Sequence, residues 1–488
     1  MYGSSINILS MKKNKSRRNF IKKSALIGSG LFIIPRNVLG GKGYTAPSDQ
    51  LAIAAVGSGG KGTSDINNAY DKGKNRVVAL CDVHPEYAKK SMDRFPDAKI
   101  YKDYRVMLEK QKDIDAVTIS TPDHTHAIVA HACMVRKLHV YVHKPLTHTI
   151  AEARLLRKTA QENKVVTQMG NQGGSNPGVQ KVQEWIDQGK IGEIEKINAW
   201  TNRPVWPQGK NLPKSNENEK PEGLDWDLWL GPAKKRSYSP GLHPFSWRGY
   251  WDFGTGALGD MACHILDVPY KTLKLGYPNS VECTTSTTFS VMWNMDYAPE
   301  GCPLSSVVTL RYDSSPYAKN GIELVWMDGG ITPNVPDLLG DDFFTKSGTG
   351  NLSMMIGKKG VITAQVYGNN PTLYQKGEAP IVFKTDKIDL DQIHNTAWTE
   401  ACKAGYNSKE HLALTSSFEY SGPFTETVLM GNLGLRSRML RKKDLAGRNV
   451  YYGRKKLQWD GPNMKITNFE EANKFVTKSY HNGWKIPI

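Results

Sequence analysis

The chain has 488 residues, 39% hydrophobic and 23% charged, which excludes a disordered chain and exceeds what one core organises, so two or three domains are expected. Its net charge of +17 suggests nucleic acid, but residues 1–50 hold nine Lys and Arg against one Asp and residues 436–488 hold thirteen against four carboxylates. The body between these ends is neutral, which excludes a basic nucleic-acid surface.

At the N-terminus, Ser16-Arg17-Arg18-Asn19-Phe20-Ile21-Lys22 matches the twin-arginine export pattern, followed by an apolar stretch at 25–34 and small residues near Val38-Leu39-Gly40. That stretch is too short to span a bilayer permanently. Residues 1–49 therefore read as a signal and linker, with Met11 a candidate start. The expectation is export by the twin-arginine machinery to the periplasm without a lasting membrane anchor; an unused signal would leave the protein cytoplasmic. The six cysteines stand singly with no C-x-x-C pair and read as small buried hydrophobes.

Over 50–170, β-rich runs at 51–56, 77–81, 116–120, 139–142 and 165–169 alternate with amphipathic stretches at 85–94, 126–136 and 150–162. That alternation predicts a parallel, doubly wound sheet. The first run ends in Gly57-Ser58-Gly59-Gly60-Lys61-Gly62, and Asp82 closes the second. Strand, glycine loop, helix and a later acid define a dinucleotide site: Gly57 permits the turn, Gly59 and Gly60 admit the pyrophosphate, and Gly62 lets helix and strand approach. The pyrophosphate meets the positive helix end. Asp82 bonds the ribose and repels a 2′-phosphate, favouring NAD over NADP.

A second domain is expected over 171–440. A helix at 178–188 and a strand at 194–201 precede a Pro-, Gly-, Asn- and Trp-rich loop at 202–250. A helix follows at 257–273, then alternating β-rich segments at 281–293, 305–312, 321–327 and 361–367, which predict a mostly antiparallel sheet. Helices close the domain at 396–403 and 425–440. Residues 441–488 read as a basic, irregular extension. Six of the twelve tryptophans, Trp200, Trp206, Trp226, Trp229, Trp247 and Trp251, fall within 52 residues. With Arg203, His243 and Arg248 they suit a carbohydrate, which offers apolar faces and a rim of hydroxyls. Trp206 and Trp251 are the expected platform, Trp226 and Trp229 the loop core.

Three further segments carry chemistry: Ser120-Thr121-Pro122-Asp123-His124-Thr125-His126, Val142-His143-Lys144-Pro145-Leu146, and Gly254-Thr255-Gly256 through Gly259-Asp260 to His264 and Asp267. With the glycine loop they resemble the Gfo/Idh/MocA family over about residues 50–440. The resemblance implies a Rossmann domain, a C-terminal α/β domain with a large open sheet, and NAD(P)-dependent oxidation or reduction of sugars and polyols. The family's usual Glu-Lys-Pro is His143-Lys144-Pro145 here, which puts the surroundings of the lysine in question. Thr121, Pro122, His124, His126 and Lys144 all follow strand ends, where open α/β sheets bind ligands, and are expected against the cofactor.

Lys144 can bond a substrate hydroxyl and exchange its proton. Asp260 and His264 are four apart, on one helix face; His264 is the candidate general base, with Asp260 orienting it or sharing substrate hydroxyls. Half of the histidines fall in 124–148, yet no metal-ligand spacing accompanies them, so no metal is expected. The leading reading is an oxidoreductase acting on a secondary alcohol of a carbohydrate or polyol, with tightly bound NAD. The alternative is a redox-neutral glycoside hydrolase or lyase working through a transient keto-sugar; a non-catalytic sugar-binding protein ranks below both. A homo-oligomer, dimer or tetramer, is expected through the C-terminal sheet.

Overall fold

Short runs of small and β-branched residues, each bounded by turn formers, become six strands: β1 (Ala52–Val56), β2 (Arg76–Cys81), β3 (Lys99–Tyr101), β4 (Ala116–Ile119), β5 (His139–His143) and β6 (Thr167–Gly170). The computed structural model describes residues 49–488 except 314, 347 and 386, so the twin-arginine pattern lies outside the described residues. The strands align in the order β3-β2-β1-β4-β5-β6, all parallel. This is the doubly wound order of a dinucleotide fold.

Parallel neighbours require crossovers, supplied by α1 (Lys61–Tyr70), α2 (Pro85–Arg94), α3 (Tyr104–Lys110), α4 (Asp123–Met134) and α5 (Ile150–Asn163). Their starts are written locally. The Asp103 carboxylate accepts the Arg105 N–H at 2.8 Å, and Thr149 with Glu152 forms a capping box ahead of α5.

After α6 (Pro177–Asp187) comes β7 (Ile194–Thr201), then the long loop, which contains the short α7 (Trp226–Leu230). Next come α8 (Gly256–Ile265), α9 (Asp267–Thr272), β8 (Ser280–Thr285), β9 (Ser306–Tyr312), β10 (Ile322–Met327), β11 (Asn351–Gly357), β12 (Gly360–Gln365), β13 (Asn369–Gln375) and β14 (Ile381–Val382). The chain continues through α10 (Leu390–Ala404), α11 (Lys409–Leu412) and α12 (Phe418–Ser437) to β15 (Lys442–Lys443), β16 (Asn449–Val450), β17 (Leu457–Asp460) and β18 (Lys465–Ile466). The large sheet runs β14-β13-β12-β11-β7-β10-β9-β8-β17-β18. Its pairs are antiparallel except β7 with β10. The expected architecture of two sheets, one parallel and one mostly antiparallel, is therefore observed.

Two departures matter for the site. The helix predicted at 396–403 is the end of α10, and it packs on the first sheet: Trp398, Ala401 and Cys402 share a core with Ile53, Leu80 and Tyr141. Residues 441–488 are not irregular. β17 pairs with the edge strand β8, whose open backbone groups invite a partner, and Leu457, Trp459, Ile466 and Phe469 join the main core. Residues 51–488 form one compact unit. All six cysteines are free and buried, and no helix of the described residues is long and apolar enough to cross a membrane.

Buried neutral histidines tie this packing to pH. His394 Nε2–H donates to the Met169 carbonyl at 2.9 Å, and its Nδ1 accepts from the Ser175 hydroxyl at 2.7 Å. Burial pushes its pKa from 6.5 down to about 4. Burial likewise takes His124 down to about 3. Between pH 6.5 and about 4 the unfolded chain protonates these rings and the folded protein does not, so stability falls as pH is lowered through that window. Thermal melts should show this drop, and His394→Gln should flatten it while lowering Tm at neutral pH. An equally steep drop in the variant would assign the acid sensitivity to other groups.

Candidate active site

The carboxyl ends of β1, β2, β4 and β5 open onto a cavity of about 380 Å³, within the range of small-molecule sites. Gly57, Gly59, Gly60, Asp82, Thr121, Pro122 and Lys144 line it from the parallel sheet, and Trp229, His243, Trp247, Arg248 and Asp260 line it from the later part of the chain.

The glycines follow from close approach. A Cβ on Gly62 would stand 1.8 Å from the Gly57 carbonyl oxygen, so α1 can pack on β1 only with glycine there. Gly57 has φ +76°, and its Cβ would lie 2.8 Å from the Ser120 carbonyl. No side chain of the described residues caps the first turn of α1; the N–H groups of Gly62 and Thr63 bond the Gly59 and Gly60 carbonyls at 3.0 and 3.2 Å, and the positive end of the helix dipole favours an anion there.

Asp82 is buried beside them. Its Oδ2 accepts the N–H groups of Ser58 and Gly59 at 2.9 and 3.0 Å, and its Oδ1 accepts that of His84 at 2.9 Å. Burial raises its pKa against the pull of those three amides. With three of about four acceptor positions used, capacity remains for a ribose hydroxyl. The Tyr87 ring lies over the loop, with atoms 2.4 Å from where Cβ atoms of Gly59 and Gly60 would stand. Nothing in the linear sequence marked that residue. Uncapped helix, four tightly packed glycines and buried acid together fit a dinucleotide.

At the other end, Lys144 directly follows β5 and is joined to Pro145 by a cis bond. Its Nζ donates to the Asp260 carbonyl at 2.6 Å and to Asp260 Oδ1 at 2.8 Å. Arg248 Nε stands 3.4 Å from the same carboxylate oxygen. Burial would raise the Asp260 pKa, but the charges of Lys144 and Arg248 outweigh it and hold the carboxyl below its ordinary value. Asp260 thus serves Lys144 rather than orienting His264.

His264, one turn along α8, has Nδ1 at 3.3 Å from Asn171 Oδ1 and stands edge-on to Tyr367, centroids 4.6 Å apart. Burial, reinforced by the Lys144 charge, keeps its pKa well below the ordinary value, so the ring is a neutral base. With Nδ1–H donating to Asn171, Nε2 is the basic nitrogen, and it takes no hydrogen bond among the described residues. Asn171 was missed in the sequence, though it directly follows β6 as Lys144 follows β5. Its buried Nδ2 has no hydrogen-bond partner among the described residues. Tyr367 sits in the turn between β12 and β13 with φ 65°, a position no sequence pattern signals.

His143, in place of the family's usual Glu, has Nδ1 at 3.6 Å from Asp65 Oδ2. Asp65 also accepts from Ser120 Oγ at 2.7 Å. The histidine thus stands between Asp65 of α1 and the cavity, which it also lines, and Lys144 takes its carboxylate from Asp260 instead.

Several expected contacts are not at the cavity. α4 begins at Asp123, and its first turn is buried throughout, which turns His124 and His126 inward. His126 bridges the carbonyls of Pro145 and Thr121, both at 2.8 Å, clamping the loops after β4 and β5. His124 reaches the Trp229 carbonyl at 3.1 Å and packs on Trp229 and Phe253. Both support the cofactor loops from behind.

Among the substrate candidates, His243 and Arg248 line the cavity; Arg203, Trp206 and Trp251 do not. His243 Nε2 lies 2.9 Å from His84 Nδ1, and burial, then the His84 charge, take its pKa down to about 4. Arg248 stacks between Phe245 and Trp247 at 4.4 and 4.3 Å. The Arg203 guanidinium bonds Asn202. Trp206 is buried, its Nε1–H donating to Gln208 at 2.9 Å. The backbone N–H of Trp251 bonds Glu300, which carries its ring to a separate cavity beside Arg436. The aromatic walls are instead Trp247 and Trp229, the latter stacked on Trp226 at 4.6 Å.

Fold and site together define a dinucleotide-binding α/β protein whose second, open-sheet portion completes the cavity. Residues 51–171 match the family model described as an oxidoreductase family, NAD-binding Rossmann fold, and residues 176–286 match that of its C-terminal α/β domain. Both domains of the Gfo/Idh/MocA oxidoreductase family are thus matched, one after the other, within residues 51–286 of this chain. A levoglucosan dehydrogenase of Pseudarthrobacter phenanthrenivorans is 27% identical over 189 residues, 39% of this chain and 40% of that one. An inositol 2-dehydrogenase of Salmonella typhimurium is 32% identical over 119 residues, 24% of this chain and 35% of that one. The match thus spans two fifths or less of these relatives' own lengths. The crystal structure of an inositol dehydrogenase homologue from Azotobacter vinelandii, complexed with NADH and myo-inositol, superposes with TM-score 0.53 at 16% identity, covering 78% of this chain and 94% of that one. That likeness shows the fold alone.

Proposed function

We propose that the protein is an NAD-dependent oxidoreductase acting on a secondary alcohol of a carbohydrate or polyol. The observation that carries this reading is the Lys144–Asp260 pair in the cavity that the glycine loop also lines, with His264 one turn beyond Asp260 on α8. When bound, the nicotinamide supplies the hydride acceptor. His264 Nε2 takes the hydroxyl proton, because its neutral ring is a free base at working pH. Lys144, held by Asp260, donates a hydrogen bond to the oxygen as the alcohol becomes a carbonyl. Arg248 and His243 offer hydrogen bonds to neighbouring hydroxyls, and Trp229 and Trp247 offer flat faces to ring carbons.

The test is to denature purified protein, assay for released dinucleotide, and then follow nicotinamide reduction with inositols, hexoses and anhydrosugars. Absence of both bound dinucleotide and NAD-dependent turnover would reject the reading. Asp82→Ala should weaken NAD far more than NADP, because only NAD gains from a carboxylate at the ribose; equal losses would remove Asp82 from that role.

Two further parts of the reading concern the setting of this activity. Export to the periplasm rests on the Arg17-Arg18 pattern, and cell fractionation tests it. Assembly into a homo-oligomer through the large sheet is supported by the half-exposed positions that alternate along β9 and by the exposed apolar residues Phe289, Val291, Met292 and Trp293. Sedimentation at rising concentration tests that assembly.

A further inference from the structure

The last thirty residues do something the fold does not require. Having completed the large sheet with β17 and β18, the chain crosses to the first domain and then to the long loop of the second, and is fastened at successive points. The Val476 carbonyl accepts the Ala151 N–H at 3.1 Å. Lys478 Nζ donates to the His124 carbonyl at 2.8 Å and pairs with the fully buried Glu152 at 2.8 Å. The Tyr480 hydroxyl donates to the same Glu152. Asn482 Nδ2 donates to the Gly231 and Ala233 carbonyls at 3.1 and 2.9 Å. A turn through Asn482 and Gly483, with φ +57° and +78°, then presents Trp484.

That indole is half-buried. One face lies against the Arg105 guanidinium at 4.2 Å, with the Tyr104 ring at 5.9 Å. It lines the same cavity as Asp82, Asp103 and Tyr104. The acid after the second strand marks the adenosine half of a dinucleotide site, so Trp484, beside Asp103 and Tyr104, stands at that half. An indole backed by an arginine and open to a cavity is a stacking surface for a flat base.

We propose that Trp484 is a cofactor-binding residue, walling the adenosine end of the site, and that segment 476–486 is a strap that retains the dinucleotide. The inference rests on the cofactor reading above. It gives physical content to a resident cofactor: adenosine leaves only when a segment anchored on Glu152 moves, or when the base slides off the indole.

The experiment compares binding and release of three probes, NADH, ADP-ribose and reduced nicotinamide mononucleotide, by native protein, Trp484→Ala and Trp484→Phe, with melts as the check on folding. Truncation should weaken NADH and ADP-ribose by about tenfold to a hundredfold, the range for losing one base–aromatic stack, and speed NADH release in proportion. The mononucleotide, which lacks adenosine, should bind all three proteins alike, and Trp484→Phe should recover most of the loss. Unchanged NADH release in Trp484→Ala, or equal losses for all three probes, would overturn the strap while leaving the cofactor site intact. Native protein that binds none of the probes would overturn the cofactor reading itself.

Discussion

Lys144→Ala should lower kcat by about 10²–10⁴-fold, the range for losing a positioned acid–base group. The ammonium stands where the parallel sheet meets α8, and both its hydrogen bonds among the described residues go to Asp260, at 2.6 and 2.8 Å. Those bonds aim the remaining N–H at the cavity. Truncation removes the donor to the reacting oxygen and also leaves the Asp260 carboxylate with Arg248 alone at 3.4 Å. An unpaired buried carboxylate is costly, so the variant should also melt earlier. Asp260→Asn in the same chain separates the two effects, because it removes the stranded charge. Lys144→Ala/Asp260→Asn should recover stability without recovering turnover. Recovery of both would mean that Lys144 acts only by neutralising Asp260.

His264→Ala should cost a similar factor in kcat, about 10²–10⁴-fold, with dinucleotide binding unchanged because α8 contributes nothing to the glycine loop. The pH profile carries a sharper signature. Burial and the Lys144 charge hold the His264 pKa well below 6.5, so the base stays competent as pH falls and the acid limb of kcat/KM should lie well under the ordinary histidine value. Asn171→Ala removes the acceptor that keeps the proton on Nδ1. It should lower kcat several-fold with little change in KM, whereas Asn171→Asp should move the acid limb upward, because a carboxylate stabilises the protonated ring. If His264→Ala loses less than about tenfold while folded, the base lies elsewhere, and His243, which lines the cavity, is the next residue to test.

Much of the first domain was legible because its signals are local. The 51–56 and 77–81 runs, the glycine spacing and the acid after the second run each occupy a few consecutive residues, and each constrains the backbone where it stands. The same holds for Lys144 at a strand end and for Asp260 and His264 on one helix face. The strands β11, β13 and β14 were not legible. β11 is buried along most of its length, so it lacks the alternation that marks a half-buried strand. His124 and His126 were misplaced for a related reason: adjacency to a strand end fixes where a residue is, and the first residue of α4 fixes which way its side chain points. Trp251 and Trp247 are four apart in one loop, yet only Trp247 lines the cavity, because a loop without periodicity carries no rule for orientation.

By itself, then, the sequence determined five of the six strands of the parallel sheet, the dinucleotide loop and the candidates for acid–base chemistry, since these depend on spacing along a short stretch of chain. The tertiary structure alone decided who partners whom. Lys144 meets Asp260 across 116 residues and His264 meets Asn171 across 93, while Trp484 returns from the end of the chain to a cavity begun at Val56. Such contacts are set by how two sheets and a crossing segment pack, and packing joins surfaces whose residues share no period and no proximity in the chain.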